Sequence, residues 1–224
     1  MQEVRGRQPN ATGFEPLPSS KLALTPHMRS ATENVMATDQ IVGLSPQEYL
    51  TFERQSQRKH EYIDGEVREM VGASRPHNLI AGNIAYAIQS QIRGRPFEVY
   101  QSDMRVRIPQ GPYYYPDVTV APSPPELEDE EADTLLNPLV IVEILSPSTR
   151  RTDRGEKLDN YRRIPSLTDY LIVAQDRMWI DRYVRDGSEW RLEDFSKADD
   201  AVKLEGTGCE LPLADVYDRV FPVK

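Results

Sequence analysis

The sequence predicts an α/β protein of the α+β kind, with a central mixed sheet flanked by helices. Three observations predict it: helix-like and strand-like segments alternate along the chain, one long segment carries an isoleucine at every fourth position, and the segments 139–145 and 169–174 read as buried strands. The 224 residues include 36 acidic and 27 basic side chains, a net charge of −9, and 38% hydrophobic positions. That is an ordinary globular composition, sufficient for one good-sized core without disulfides.

Residues 1–39 contain Pro9, Pro16, Pro18 and Pro26 and no sustained apolar period, so they are expected to form a poorly ordered leader, with the domain proper spanning 40–224. Met28 and Met36 each precede sequence that could serve as a native start. Ser45, Pro46 and Glu48 supply an N-cap, a first-turn proline and an acid at N3, which opens a helix to about Gln55. His60–Ile63 and Glu66–Val71 flank Asp64-Gly65, a strong hairpin signal. A second helix begins near Ser74, because Ile80, Ile84, Ile88 and Ile92 form one apolar stripe.

Three strands are expected next, at about Phe97–Ile108, Tyr114–Ala121 and Leu139–Leu145. Asp153, with Glu156 three residues on, resembles a capping box and starts a short helix that Pro165 stops. Asp169–Ala174 reads as a buried strand, and Trp179–Val184 with Glu189–Phe195 as a meander turning at Asp186-Gly187. The run from Glu126 to Asp133 holds six acids and no base, and it is expected to form a mobile excursion that could shield a basic site. Without its six charges the net charge is only −3.

Several classes are excluded. Cys209 is the single cysteine and there is no Cys/His cluster, which rules out a disulfide scaffold and a zinc ribbon. No apolar run approaches the ~18 residues of a membrane span and no signal-peptide pattern is present, so cytoplasm is the expected compartment. No glycine-rich phosphate loop supports an enzyme of small phosphorylated metabolites.

The informative residues are two carboxylates where a strand favours apolar side chains. Glu143 interrupts Leu139–Leu145 and shares a face with Ile141 and Leu145; burying it costs several kcal/mol unless a cation, a metal or a raised pKa compensates. Asp117, just after Pro116, begins a strand at its rim. Two adjacent carboxylates repel each other, and a shared divalent cation explains both; hard oxygen ligands favour magnesium or manganese. Lys157, on the helix face that also carries Tyr161, is suited to orient an attacking water and stabilise phosphoryl charge. The structural alternatives are a turn or cap role for Asp117, a buried ion pair with an arginine for Glu143, and a solvated helical lysine.

Pro116-Asp117, Val142-Glu143-Ile144-Leu145-Ser146-Pro147-Ser148, Lys157-Leu158-Asp159-Asn160-Tyr161 and Asp169–Val173, together with Glu61–Glu66 and His77, resemble a restriction-endonuclease family long labelled a domain of unknown function. That family is common in cyanobacteria and belongs to the PD-(D/E)XK nuclease superfamily; the resemblance covers about residues 44–220. It implies a restriction-endonuclease-like core and a magnesium- or manganese-dependent endodeoxyribonuclease. Asp117, Glu143 and the Ile144 carbonyl would be metal ligands, and Lys157 would replace the lysine expected where Leu145 stands. It also implies an auxiliary acid, Glu61 or Glu66, a helper role for His77, a DNA substrate and a homodimer, and Tyr161 joins Glu61, Glu66 and His77 as a candidate auxiliary residue. Arg150, Arg151 and Arg154 are placed to contact phosphates, and Tyr113, Tyr114 and Tyr115 either stack on bases or pack. The competing reading is a nuclease-fold module with a vestigial site, acting as a binding or oligomeric partner; the acidic net charge and the displaced lysine favour it.

Overall fold

A computed structural model describes residues 41–146 and 152–221 of the chain. The expected leader, residues 1–39, lies outside the described residues, as do Arg150 and Arg151. In chain order the elements begin with β1 (Ile41–Val42), α1 (Pro46–Gln55), β2 (His60–Ile63), β3 (Glu66–Glu69) and α2 (Arg75–Ile92). Strands β4 (Phe97–Gln101), β5 (Arg105–Arg107), β6 (Tyr113–Tyr114), β7 (Val118–Pro122), β8 (Thr134–Leu135) and β9 (Val140–Leu145) follow. A π-helical turn, Asp153–Lys157, runs directly into α3 (Leu158–Tyr161). The chain continues through β10 (Asp169–Ala174), β11 (Ile180–Asp186), β12 (Glu189–Phe195), β13 (Ala201–Lys203), β14 (Glu210–Pro212) and α4 (Leu213–Val216).

The local signals form as their chemistry dictates. Ser45 Oγ accepts the Glu48 amide while the Glu48 carboxylate accepts the Ser45 amide, closing both halves of a capping box on α1. Asp64 and Gly65 have φ of 49° and 89°, the paired positive values that the tight turn between β2 and β3 requires. Ser74 caps α2, whose Ile80, Ile84, Ile88 and Ile92 are all buried; each such side chain contributes about 1.5–3 kcal/mol of burial free energy.

The main sheet has the order β12-β11-β10-β9-β7-β4, with β9 and β10 parallel at its centre and the other neighbours antiparallel. On one face Val140, Val142 and Ile144 meet the isoleucines of α2. On the other, Ile141 and Leu145 pack with Leu158, Tyr161, Tyr170 and Ile172. A second sheet, β1-β3-β2-β6-β5-β8, is linked to the first through the same run of chain, and β13 pairs with β14.

Five expectations are corrected. The strand expected at Phe97–Ile108 divides into β4 and β5, which belong to different sheets, because Ser102 takes φ 53° and turns the chain between them. Tyr114–Ala121 likewise divides into β6 and β7 around Pro116, which has no amide to donate to a ladder. Asp153 is not a cap: Thr152 before it is already helical and Asp153 itself is buried. The β11–β12 turn is at Gly187-Ser188, since Asp186 still pairs with Glu189. The acidic run is anchored rather than mobile: Arg54 binds Asp129 and Asp133 at 2.7 and 2.9 Å, Arg105 binds Asp133, and Glu128 takes Arg107 and the Tyr113 hydroxyl.

Candidate active site

Glu143 sits in the central strand, paired in register with Ile172 of β10 and flanked by β7, and it is only 4% exposed. Continuing the Val118–Val142 register by one pair places Asp117 opposite Glu143. The alternation that puts Ile141 and Leu145 in the core therefore drives this carboxylate into the same apolar layer.

A cation compensates it, and the cation is Lys157, not an arginine. Its Nζ lies 3.0 Å from Glu143 Oε1, 2.7 Å from Glu61 Oε1 and 3.6 Å from Asp153 Oδ1, above the ring of Tyr114 at 5.2 Å from the centroid. The Tyr161 hydroxyl donates to the same Glu143 Oε1 at 2.8 Å. Both protein hydrogen bonds to Glu143 thus fall on one oxygen, and among the described residues Oε2 has no protein partner. Burial pushes the Glu143 carboxyl well above the usual range; Lys157 opposes the rise, and Asp153, Asp117 and Glu61 add to it. Burial would lower the Lys157 ammonium, but Glu143, Glu61 and Asp153 outweigh it and hold it well above the ordinary lysine value. Lys157 is therefore a buried, charged residue rather than a solvated one.

Asp117 occupies the rim. Its Oδ2 accepts the Ile144 amide at 2.7 Å and lies 3.2 Å from Nε2 of His77, in the first turn of α2. The remaining Asp117 oxygen, like Glu143 Oε2, has no protein partner among the described residues. Lys157 thus faces Glu61, Glu143 and Asp153, with Asp117 beside them, so several carboxylates converge on this lysine. Two uncommitted carboxylate oxygens in such a field suit a hard divalent cation. Among the described residues no group of three or more His, Cys, Asp or Glu forms a metal cage. The arrangement fits magnesium, which commonly uses one or two carboxylates and retains waters.

Of the auxiliary residues, the structure gathers Glu61, His77 and Tyr161 at the site. Glu66 instead binds Arg68 on its own strand at 2.8 Å. Arg154 pairs with buried Asp181 at 2.6 Å through one end of its guanidinium and stays 40% exposed. Tyr113, Tyr114 and Tyr115 are buried and pack rather than stack on bases. Sequence reasoning missed Asp153 and Tyr114 as neighbours of the lysine; the four-residue spacing of Asp153 and Lys157 was the available signal.

Comparison with known proteins bears on the family and the fold. The profile of the Uma2 family, described as "Putative restriction endonuclease", matches residues 46–214. The uncharacterized protein slr1290 of Synechocystis sp. is 34% identical over 176 residues, covering 78% of this chain and 91% of the relative. A second uncharacterized Synechocystis protein, sll1609, is 36% identical over 163 residues, covering 72% and 91%. The crystal structure of a "putative nuclease belonging to DUF820" from Anabaena variabilis superposes with a TM-score of 0.66 at 18% identity, covering 80% of this chain and all of that one. At that identity the likeness establishes the restriction-endonuclease-like fold.

Proposed function

The chain belongs to the Uma2 putative restriction endonuclease family, and from that premise we propose that it is a metal-dependent endodeoxyribonuclease acting through Asp117, Glu143 and Lys157. The observation that carries the reading is the pairing of a rim carboxylate with a central-strand carboxylate whose lysine arrives from the following helical segment. A buried charge network of this kind is costly to keep, and structural stability alone gives little reason to keep it.

A bound magnesium or manganese ion would supply a polarised phosphoryl oxygen and a water of lowered pKa. Asp117 and Glu143 would hold it through their uncommitted oxygens, with the Ile144 carbonyl as a third donor. Lys157 fixes Glu143 and places positive charge where charge develops on the phosphate. His77 braces Asp117 from α2, and Glu61, from the β2–β3 hairpin, takes the place of the acid that related nucleases carry on the first core helix. A DNA substrate, a homodimer and a cytoplasmic setting complete the reading and follow from the family resemblance and the composition. Among the described residues no helix is long and apolar enough to cross a membrane.

The test is thermal unfolding with and without magnesium or manganese, on the native chain and on Glu143→Gln. Free metal at about ten times its dissociation constant adds roughly 1.4 kcal/mol, or about 3–6 °C. A shift in the native protein that Glu143→Gln lacks, followed by plasmid cleavage that Asp117→Asn and Lys157→Ala abolish, supports the nuclease. No shift at millimolar metal would move the reading to the vestigial module.

A further inference from the structure

We propose that Tyr161 is a positioning residue that, together with Lys157, restricts Glu143 to binding a metal through one oxygen and thereby selects magnesium over calcium. The inference rests on the metal-dependent reading above and goes beyond it to the residue that chooses the ion.

Tyr161 is fully buried, its ring in edge contact with Tyr114 at 5.3 Å and tilted against Tyr170 at 5.1 Å, so its hydroxyl has little freedom of direction. That hydroxyl donates 2.8 Å to Glu143 Oε1, the oxygen Lys157 already holds at 3.0 Å. Lys157 and Tyr161 are four residues apart, so a single helical segment presents both donors to one point. A carboxylate gripped on Oε1 by an ammonium and a phenol offers an ion Oε2 alone.

The two common divalent ions respond differently to that restriction. Calcium gathers about 6–8 oxygens at relaxed distances and gains from two-oxygen carboxylate contacts. Magnesium takes about six in a tight octahedron and keeps its waters, so a single oxygen per carboxylate suits it. Removing the Tyr161 hydroxyl frees half of the grip on Oε1, which benefits calcium more than magnesium.

The experiment titrates magnesium and calcium calorimetrically into the full chain as wild type, Tyr161→Phe, Tyr170→Phe and Glu143→Gln. Tyr170 is the control: it is equally buried, and its hydroxyl donates to the Asp153 carbonyl at 3.0 Å instead of to Glu143. The calcium-to-magnesium affinity ratio is expected to rise about tenfold in Tyr161→Phe, the size of one charge-assisted hydrogen bond, and to stay at the wild-type value in Tyr170→Phe. A Tyr161→Phe ratio within about twofold of wild type, or an equal change in Tyr170→Phe, overturns the role of Tyr161. The metal reading survives that result if wild type binds magnesium and Glu143→Gln does not. No binding by wild type overturns both. Infrared difference spectra of calcium-loaded wild type against Glu143→Gln need no tyrosine variant. The wide carboxylate splitting of one-oxygen coordination is expected, and the narrow two-oxygen splitting overturns the proposal.

Discussion

Replacing Lys157 by alanine should destabilise the protein far more than replacing Glu143 by glutamine, although each change removes one member of the same contact. The ammonium lies 2.7 Å from Glu61, 3.0 Å from Glu143 and 3.6 Å from Asp153, and none of these side chains is more than 13% exposed. Without it, Glu143 and Glu61 lose the ammonium that both of them face. Breaking a buried ion pair from one side costs about 3–5 kcal/mol, a fall of roughly 6–20 °C in Tm for a chain of this size. Glu143→Gln keeps an oxygen that accepts from Tyr161, leaves Lys157 its other two partners and removes one of the crowded charges. Its cost should be about 1–2 kcal/mol.

Urea unfolding followed by tryptophan fluorescence measures both. The lysine's contribution is fully present below its unfolded value and is lost only as pH rises through the folded value, which its neighbours hold higher still. In Lys157→Ala, Glu143 keeps the burial that raises it and loses the cation that opposes the rise, so it binds a proton more readily folded than unfolded. Lowering the pH from about 8 to about 5 should therefore narrow the gap to wild type. A Lys157→Ala cost below about 1 kcal/mol, or no larger than that of Glu143→Gln, would refute the role of Lys157 as the cation that compensates Glu143.

Three further outcomes are expected. Hydrogen bonding from Arg54 holds the Asp133 carboxyl well below its ordinary value of 3.8, so its stabilisation is present above that value and lost as pH falls through the folded one. Asp133→Asn should lower the urea midpoint at neutral pH and lower it less in strong acid. Ser45→Ala removes one half of the α1 capping box and should cost about 1 kcal/mol in the same assay, with no effect on metal binding. Gly206→Ala should cost about 1–3 kcal/mol by calorimetry, because the added methyl would collide with Thr168 Oγ1 and come within 3.2 Å of Leu139 Cβ.

What was legible in the sequence was local. The cap at Ser45, the turn at Asp64-Gly65 and the isoleucine stripe of α2 each arise within a few residues, and each formed as read. The central strand and the misplaced carboxylate at Glu143 were also legible, because a charge inside an apolar run conflicts with its surroundings wherever the chain goes. The breaks at Ser102 and Pro116 were not, since the apolar pattern continues across both and the choice of sheet is made by distant partners. The run Glu126–Asp133 looked solvated because its cations, Arg54, Arg105 and Arg107, are far away in sequence. Asp153 followed by Glu156 imitates a helix start, and only the folded position of Lys157 reveals why the aspartate is buried. The β13–β14 hairpin and α4 went unread, although they bury Val202, Leu211, Leu213 and Val216 against α2 and the sheet.

The lysine's address also bears on how such a site can change over generations. A lysine on the strand that carries the glutamate is bound to that strand's alternation: a one-residue insertion between them would turn it to the opposite face. Here Glu143 belongs to β9 and Asp117 directly precedes β7, while Lys157 enters on a separate helical segment beyond residue 152. The register of β9 with β7 and β10 does not depend on where that helical segment stands. Selection can thus adjust the distance from ammonium to carboxylate, or abandon it, while the scaffold stays intact. Close relatives could then share this fold and differ in whether they cut.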